Sequence, residues 1–593
     1  MAPPSFLHKS WPERFRDPHF WFLLGGVIFV TVALVILRKM EHPWEGLTAW
    51  RIREGRRWLP EDYGRVYAFW AGLGATLLIG LTVIASLWWW RPAHPASAGT
   101  QAVGHRLHRY HWIALGVILL LAAFVRGQHL DRFVLRDEQD TIRYHLHGFY
   151  EPVRGDDTGA IGFTEMGWAD AAFGNRHGNN PVLMTVLSRA SLEIWWQISG
   201  VARDHYSIVA IRLPGCLAAL AGVLAVAWCV LAFAPGRVAV IAAAIVAIHP
   251  LHIDYSIQAR GYAYVLLGVP LAVAGAVWAL QRGRWRDWIA LVLGCAISLY
   301  AYLGSVFLVA PLVVAVFGVL AARGWTARRQ SRPAPDVTRD VIRLGVVGLI
   351  ITSLYITFAL PAVMCFRQVH EDLPRMYAMD WAWWLAFWTA FAGGRIFNIR
   401  TSETGELPPI DQAFRDLVPD YPLVWIGMVL ALPIAVIGVV RLWRTAPPAV
   451  RVVLIAALLS PFIQTAVHHF ITRIVLFAYY FIYWLPPLAC VAALGCDAVI
   501  ARLVRLRPLA AGGRGAVAAV SLVLMIGAYF SVGAGGNPYV GQRRPAPTEP
   551  TVHLRNTFQW LSYPEGRTLK HPADQPTPPE FPEHLIAPAK PPQ

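Results

Sequence analysis

The chain has 593 residues, of which 56% are hydrophobic and 15% charged, with a mean hydropathy of +0.45. A soluble chain of this length needs about a quarter of its residues charged to coat its surface, so a multidomain soluble protein is excluded. The net charge of +16, from 52 Lys and Arg against 36 Asp and Glu, does not call for nucleic acid. The arginines cluster in short segments between apolar runs, where membrane anchoring and topology account for them.

Apolar runs long enough to cross a hydrocarbon layer of about 30 Å recur along the chain. They lie near 20–37, 66–90, 111–125, 207–233, 238–253, 261–280, 288–302, 304–322, 343–362, 421–440, 449–466, 474–498 and 515–533. The fold class expected is an all-α polytopic membrane protein with about 13 transmembrane helices. The alternating ten-residue pattern of a membrane barrel is absent. The first run ends at Arg38-Lys39 without a small-residue cleavage pattern, as a retained anchor does. With the next run it reads as a two-helix appendage, residues 1–105, on a transmembrane core of 106–533. The segment 381–392 is apolar but short and fits an interfacial or re-entrant piece. Residues 534–593 are proline-rich and poor in aliphatic side chains, hence an extended tail. The six cysteines lie mostly in apolar runs without C-x-x-C spacing and are expected to be core residues. No Walker loop or Gly-rich strand–helix turn is present, which speaks against a bound nucleotide.

Basic residues set the orientation. The segments 281–287, 323–343, 441–451 and 499–514 carry sixteen arginines between them and fall on one side of the span order. That side is expected to be cytoplasmic, leaving 126–206 and 363–420 as external loops. Residues 38–65 also fall outside by this order although they hold seven Lys and Arg, a violation softened by five acids.

Chemistry-bearing residues concentrate near the external helix ends. Beyond the third span comes Arg136-Asp137-Glu138-Gln139-Asp140. A carboxylate in a partly desolvated setting can take a proton from a substrate hydroxyl, although loops leaving a bilayer are often simply charged. Asn180-Pro-Val-Leu183 opens an amphipathic run, ordinary helix-entry grammar when taken alone. The turn His252-Ile-Asp-Tyr-Ser256-Ile-Gln-Ala-Arg260-Gly-Tyr262 places an arginine at the boundary, and Arg473 does so later. Either could fork onto phosphate oxygens or snorkel to lipid headgroups. His145 and His147 near Asp137, Glu138 and Asp140 read as chance clustering rather than a metal site.

The order of these features resembles the GT-C glycosyltransferases that use polyprenyl-phosphate sugars, among them protein O-mannosyltransferases and lipid A aminoarabinose transferases. The similarity runs from about Trp112 to Ala493. Ser256-Ile-Gln-Ala-Arg-Gly-Tyr262 is similar to the family's Ser-Gln-Glu-Ala-Arg-Gly-Tyr form, with Gln258 in place of Glu. Asn180-Pro-Val-Leu183 stands where His-Pro-Pro-Leu is frequent, and Arg473-Ile474 where Arg-Tyr is frequent. The resemblance implies a GT-C-type core whose external first loop contains juxtamembrane helices. It also implies an inverting transfer from a polyprenyl-phosphate-linked sugar to a glycan, lipid or protein hydroxyl. Asp137 and Glu138 would be catalytic, and Arg260, Tyr262, Arg473, Ser256, His252 and Asn180 would bind substrate. No cofactor is specified, and a divalent metal stays open. The setting implied is a bacterial inner (plasma) membrane with the active site on the periplasmic face. Two rival functions fit parts of the pattern: a lipid-linked-sugar flippase, and a polymerase or ligase using diphosphate-linked donors through residues such as Arg395, Arg400, His468 and His469. Absence of an internal repeat and charges at helix ends rather than mid-membrane favour an enzyme over a transporter.

Overall fold

The computed structural model describes residues 10–39, 42–44, 58, 60–90, 105–132, 134–152, 161–175, 180–331, 335–372, 381–394, 422–472 and 476–503. The expected span at 515–533, the proline-rich tail, Arg395, Arg400 and Arg473 lie outside them. In chain order the described helices are α1 (Trp11–Arg16), α2 (Pro18–Lys39), α3 (Pro60–Trp89), α4 (Arg109–Gly127) and α5 (Arg136–Thr141). Strands β1 (Gly148–Pro152) and β2 (Ile161–Glu165) follow, then α6 (Trp168–Phe173), α7 (Val182–Ser199), α8 (Ile208–Val230), α9 (Gly236–Ile248) and α10 (Pro250–Ser256). The remainder is α11 (Tyr262–Arg282), α12 (Trp285–Ala301), α13 (Val306–Arg329), α14 (Pro335–Asp372), α15 (Trp381–Gly393), α16 (Pro422–Thr445), α17 (Pro448–Val467) and α18 (Leu485–Leu503).

The chain is an integral, polytopic helical membrane protein. Among the described residues, ten helices are long and apolar enough to cross a bilayer, and the bent pair α9–α10 makes eleven. Twelve of the thirteen expected runs fall on described helices, and the thirteenth, 515–533, lies outside the described residues. At 17 residues α12 sits at the lower limit for a span, and α9 breaks after 13. Helices dominate because a bilayer interior offers no water to backbone polar groups, so each span must satisfy its own. The outward faces are correspondingly aliphatic: Leu120, Val314 and Val429 are all exposed. The 13-residue α15, as its length suggested, is too short to span and packs on α16, on α10 and on the aromatic segment 478–484.

The first long loop departs from an all-helical expectation. Juxtamembrane helices are present as α5, α6 and α7, but β1 and β2 form an antiparallel hairpin, with Gly148 opposite Glu165 and Pro152 opposite Ile161. Arg189 on α7 holds this loop together. It is buried and donates to the carbonyls of Leu146 and Met166 at 2.6 Å each, and to Glu165 and Glu193 at 2.9 Å.

The core is centred on α11, which packs against α8 and α12. Small residues let these backbones approach, as in other membrane helix pairs. A Cβ at Gly294 of α12 would collide with the Ala272 backbone nitrogen and the Gly268 carbonyl on α11.

The bundle has two unlike ends. At one, Arg323 donates to the Leu280 carbonyl at 2.8 Å and Arg343 to that of Gly283 at 2.5 Å. Arg237 and Arg441 both clasp Asp497, at 2.6 and 2.7 Å. Arg323, Arg343 and Arg441 come from the segments expected to be cytoplasmic, and the helices bring them to a common end, where Arg237 of α9 joins them. The N-terminal pair α2–α3 reaches this basic end through Trp90 stacked on Trp285 at 3.7 Å. It reaches the opposite end through Arg65, paired with Asp170 of α6 at 3.0 Å, and Phe69 against Phe173. The start of α3 and the short α6 therefore share an end, in agreement with the span order that put residues 38–65 beside the first long loop.

Replacing Gly294 by Leu should lower the thermal unfolding temperature of the detergent-solubilised protein, since overpacking a close contact costs about 1–3 kcal/mol. The same change at Gly318, where a Cβ would meet nothing within 4 Å, should leave it nearly unchanged.

Candidate active site

At the end opposite the basic cluster, α9 and α10 are bent by 60° around His249. Pro250 forces this break: the residue before a proline avoids the helical region, and His249 is extended at φ −64°, ψ 126°. Arg126, at the end of α4, takes up the freed backbone. It donates to the carbonyls of Ala122 (3.0 Å) and Ala247 (3.1 Å), and its Nη2 donates to His252 Nδ1 at 2.8 Å.

The first loop is joined to this bend by one buried carboxylate. Glu138 sits in the first turn of α5, where its Oε2 accepts from the Leu135 backbone N–H at 2.9 Å, a capping-box contact. Arg212 of α8 donates Nε to Glu138 Oε1 at 3.0 Å and Nη2 to Oε2 at 2.8 Å. Its Nη1 donates to the carbonyls of Leu130 (2.9 Å) and Arg132 (2.8 Å). The Ala259 backbone N–H donates to Glu138 Oε1 as well. Both side chains of the pair are fully buried. Burial alone would raise the Glu138 carboxyl, but the charge and hydrogen bonds of Arg212, with the two backbone donors, hold it below the usual carboxylate range. A second strap runs parallel, Arg132 to Asp254 at 2.7 Å and Gln258 Nε2 to Asp254 Oδ2 at 3.0 Å.

Because Glu138 is bonded to Ala259, their chain neighbours Asp137 and Arg260 are brought side by side. Arg260 Nη2 lies 2.9 Å from Asp137 Oδ2; the arginine side chain is 14% exposed and the carboxylate 51%. The guanidinium also lies over the Tyr262 and Tyr479 rings, 4.9 and 5.1 Å from their centroids. Tyr262 is packed by Tyr255 at 5.0 Å, Tyr302 at 5.3 Å and Tyr479 at 5.8 Å, and Tyr302 faces Tyr480 at 6.1 Å. Gly261 is needed here: a Cβ would collide with the Ala301 carbonyl and press on Pro181. The Asn180-Pro181 corner thus abuts the Arg260 turn.

The residues singled out from sequence divide into two groups. Asp137, Arg260 and Tyr262 meet in one place. Glu138 lies immediately behind Asp137 and faces inward. Ser256 is buried and donates to the Ile253 carbonyl at 2.7 Å, within its own helix. His252 is buried against Arg126. Asn180 is buried and donates Nδ2 to the carbonyls of Ala171 (3.2 Å) and Gly174 (2.6 Å), tying α6 to the start of α7. Arg473 falls outside the described residues. Sequence reasoning missed Arg212, which lies in an apolar run, and the tyrosines at 302, 479 and 480. An arginine in the first turn of a membrane helix was the signal available for Arg212. No trio of His, Cys, Asp or Glu side chains among the described residues is placed to hold a metal ion. Asp137 and Glu138 are instead bonded to guanidinium groups, a poor fit to a metal donor set.

No protein-family model and no curated protein matches the chain. Among solved structures it is similar to the archaeal oligosaccharyltransferase AglB from Archaeoglobus fulgidus, once in complex with an inhibitory peptide and a dolichol-phosphate and once in the apo form. Identity is 13% and the TM-score 0.40 in both, over 72% and 71% of this chain. The chain spans little more than half the length of that protein, 55%.

Glu138→Gln should destabilise the protein by about 3–5 kcal/mol at neutral pH, the cost of leaving Arg212 buried without its counter-charge. The depressed Glu138 carboxyl contributes stability above its unfolded value near 4.3 and loses it as pH falls through the lower folded value. Unfolding temperatures of wild type and variant, measured from pH 7 downward, should therefore converge below about pH 4.

Proposed function

We propose that the chain is a membrane glycosyltransferase of GT-C type. It moves a sugar from a polyprenyl-phosphate donor to an acceptor hydroxyl at the periplasmic face of a bacterial inner membrane. The single observation that carries this reading is the meeting of Asp137 with Arg260 at the bundle end opposite the arginine-rich segments. A cytoplasmic assignment of that basic end follows the positive-inside rule and makes the site external. The resemblance of Ser256–Tyr262 to the family's arginine motif supports the same reading, as does a core taken from residue 106 with α2–α3 attached to it.

A prenyl-phosphate lipid keeps its chain in the bilayer and its headgroup at the interface, where Arg260 sits. The acceptor oxygen attacks the anomeric carbon opposite the phosphate and forms the new glycosidic bond. The carbon–oxygen bond to phosphate breaks, its electron pair stays with phosphate, and the anomeric centre inverts. Asp137 takes the proton of the acceptor hydroxyl. Arg260, always charged, offsets the negative charge gathering on the departing phosphate, and low exposure strengthens that effect. Glu138 acts as a positioning residue, holding Asp137 and the Arg260 turn in register through Arg212 and Ala259. Tyr262 and Tyr479 orient the guanidinium by their ring faces. Among the remaining residues, Asn180, Ser256 and His252 shape the site's walls, and Arg473 is a second cation for the phosphate.

Asp137→Asn should lower turnover about 10²–10⁴-fold, the usual worth of a general base, with folding intact by thermal unfolding. Near-normal glycosidic product from a well-folded Asp137→Asn protein would end the assignment. Movement of labelled prenyl-phosphate sugar across liposomes without any product would replace the enzyme by a transporter.

A further inference from the structure

Arg260 differs from the other buried arginines around it. Arg212 has a bidentate carboxylate and two carbonyls, and Arg189 has two carbonyls and two acids. Arg260 has one ion pair, with Asp137, and otherwise lies against ring faces. Its acid partner is half-exposed, so that carboxylate can swing to water without leaving a buried charge behind, whereas neither member of the Arg212–Glu138 pair can.

We infer that Asp137 is the resident counter-ion of Arg260 and that the phosphate of a prenyl-phosphate lipid displaces it. This inference rests on the function proposed above and adds an order of events to it. A phosphate carries more charge and more acceptor oxygens than a carboxylate, and a guanidinium forks onto it readily. While Asp137 is bonded to Arg260, an acceptor hydroxyl must compete with the guanidinium for its oxygen. When phosphate occupies the guanidinium, the carboxylate is released beside the reacting centre. The base thus becomes available on donor-loaded protein, and an acceptor or water arriving first meets an acid already engaged. Donor binding precedes acceptor activation.

The test is the affinity of full-length protein for farnesyl phosphate, a probe without a sugar, in detergent micelles. Asp137→Asn removes the internal competitor and should tighten binding about twofold to fivefold, the worth of a partly exposed ion pair. Asp131→Asn makes the same charge change at an exposed position in the same loop and should leave affinity near wild type. Asp137→Ala should follow Asp137→Asn, which guards against a folding artefact of either variant. Unchanged or weaker binding in both Asp137 variants overturns the exchange, as does equal tightening by Asp131→Asn. Turnover of Asp137→Asn is read separately: an inactive variant with unchanged affinity removes the exchange and leaves the general base, and an active one removes the base.

Discussion

One buried ion pair sets the register of this molecule's site end. Glu138 and Arg212 have no access to water, and each is tolerable only because the other is there. Through the same carboxylate the pair also receives the Ala259 backbone N–H. Three stretches far apart in the chain, the start of α5, the first turn of α8 and the turn before α11, are thereby locked in one register. Asp137 and Arg260 flank that lock, and their juxtaposition follows from it. Since an isolated buried charge is costly, the lock leaves little freedom for the first loop to slide along the bundle.

The two bundle ends use arginine differently. At the basic end guanidinium groups are spent on helix-end carbonyls and on Asp497, which closes the helix termini. At the other end Arg126 and Arg212 secure a broken helix and a loop, and Arg260 is left with a half-exposed partner and an aromatic surround. A single residue type thus builds the scaffold in most places, and under the proposed function it supplies chemistry in one. The N-terminal pair α2–α3 bridges both ends, by tryptophan stacking at one and by Arg65 and Phe69 against α6 at the other.

Much of this was legible from residue order. Apolar length and flanking arginines are local properties, and the spans they marked recur as helices wherever they fall among the described residues, the one expected at 238–253 being broken between Ile248 and Pro250. The acid pair and the Arg260 turn were visible for the same reason, as charges where charge is expensive. The hairpin β1–β2 was not, because its ten residues alternate too briefly between loops to rise above a helical background.

Which of two adjacent acids faces water cannot be read from their order. Asp137 and Glu138 are equivalent in a string, and it is the position of Arg212, seventy-four residues on, that turns one inward and leaves the other outside. The gathering of Tyr302, Tyr479 and Tyr480 around Tyr262 depends likewise on how the start of α11, the end of α12 and the segment 478–484 meet. Helix formation in a bilayer follows from short-range composition, because each span must satisfy its own backbone there. Pairing across the bundle depends on which long-range contacts can be made together, and that emerges once the helices are packed.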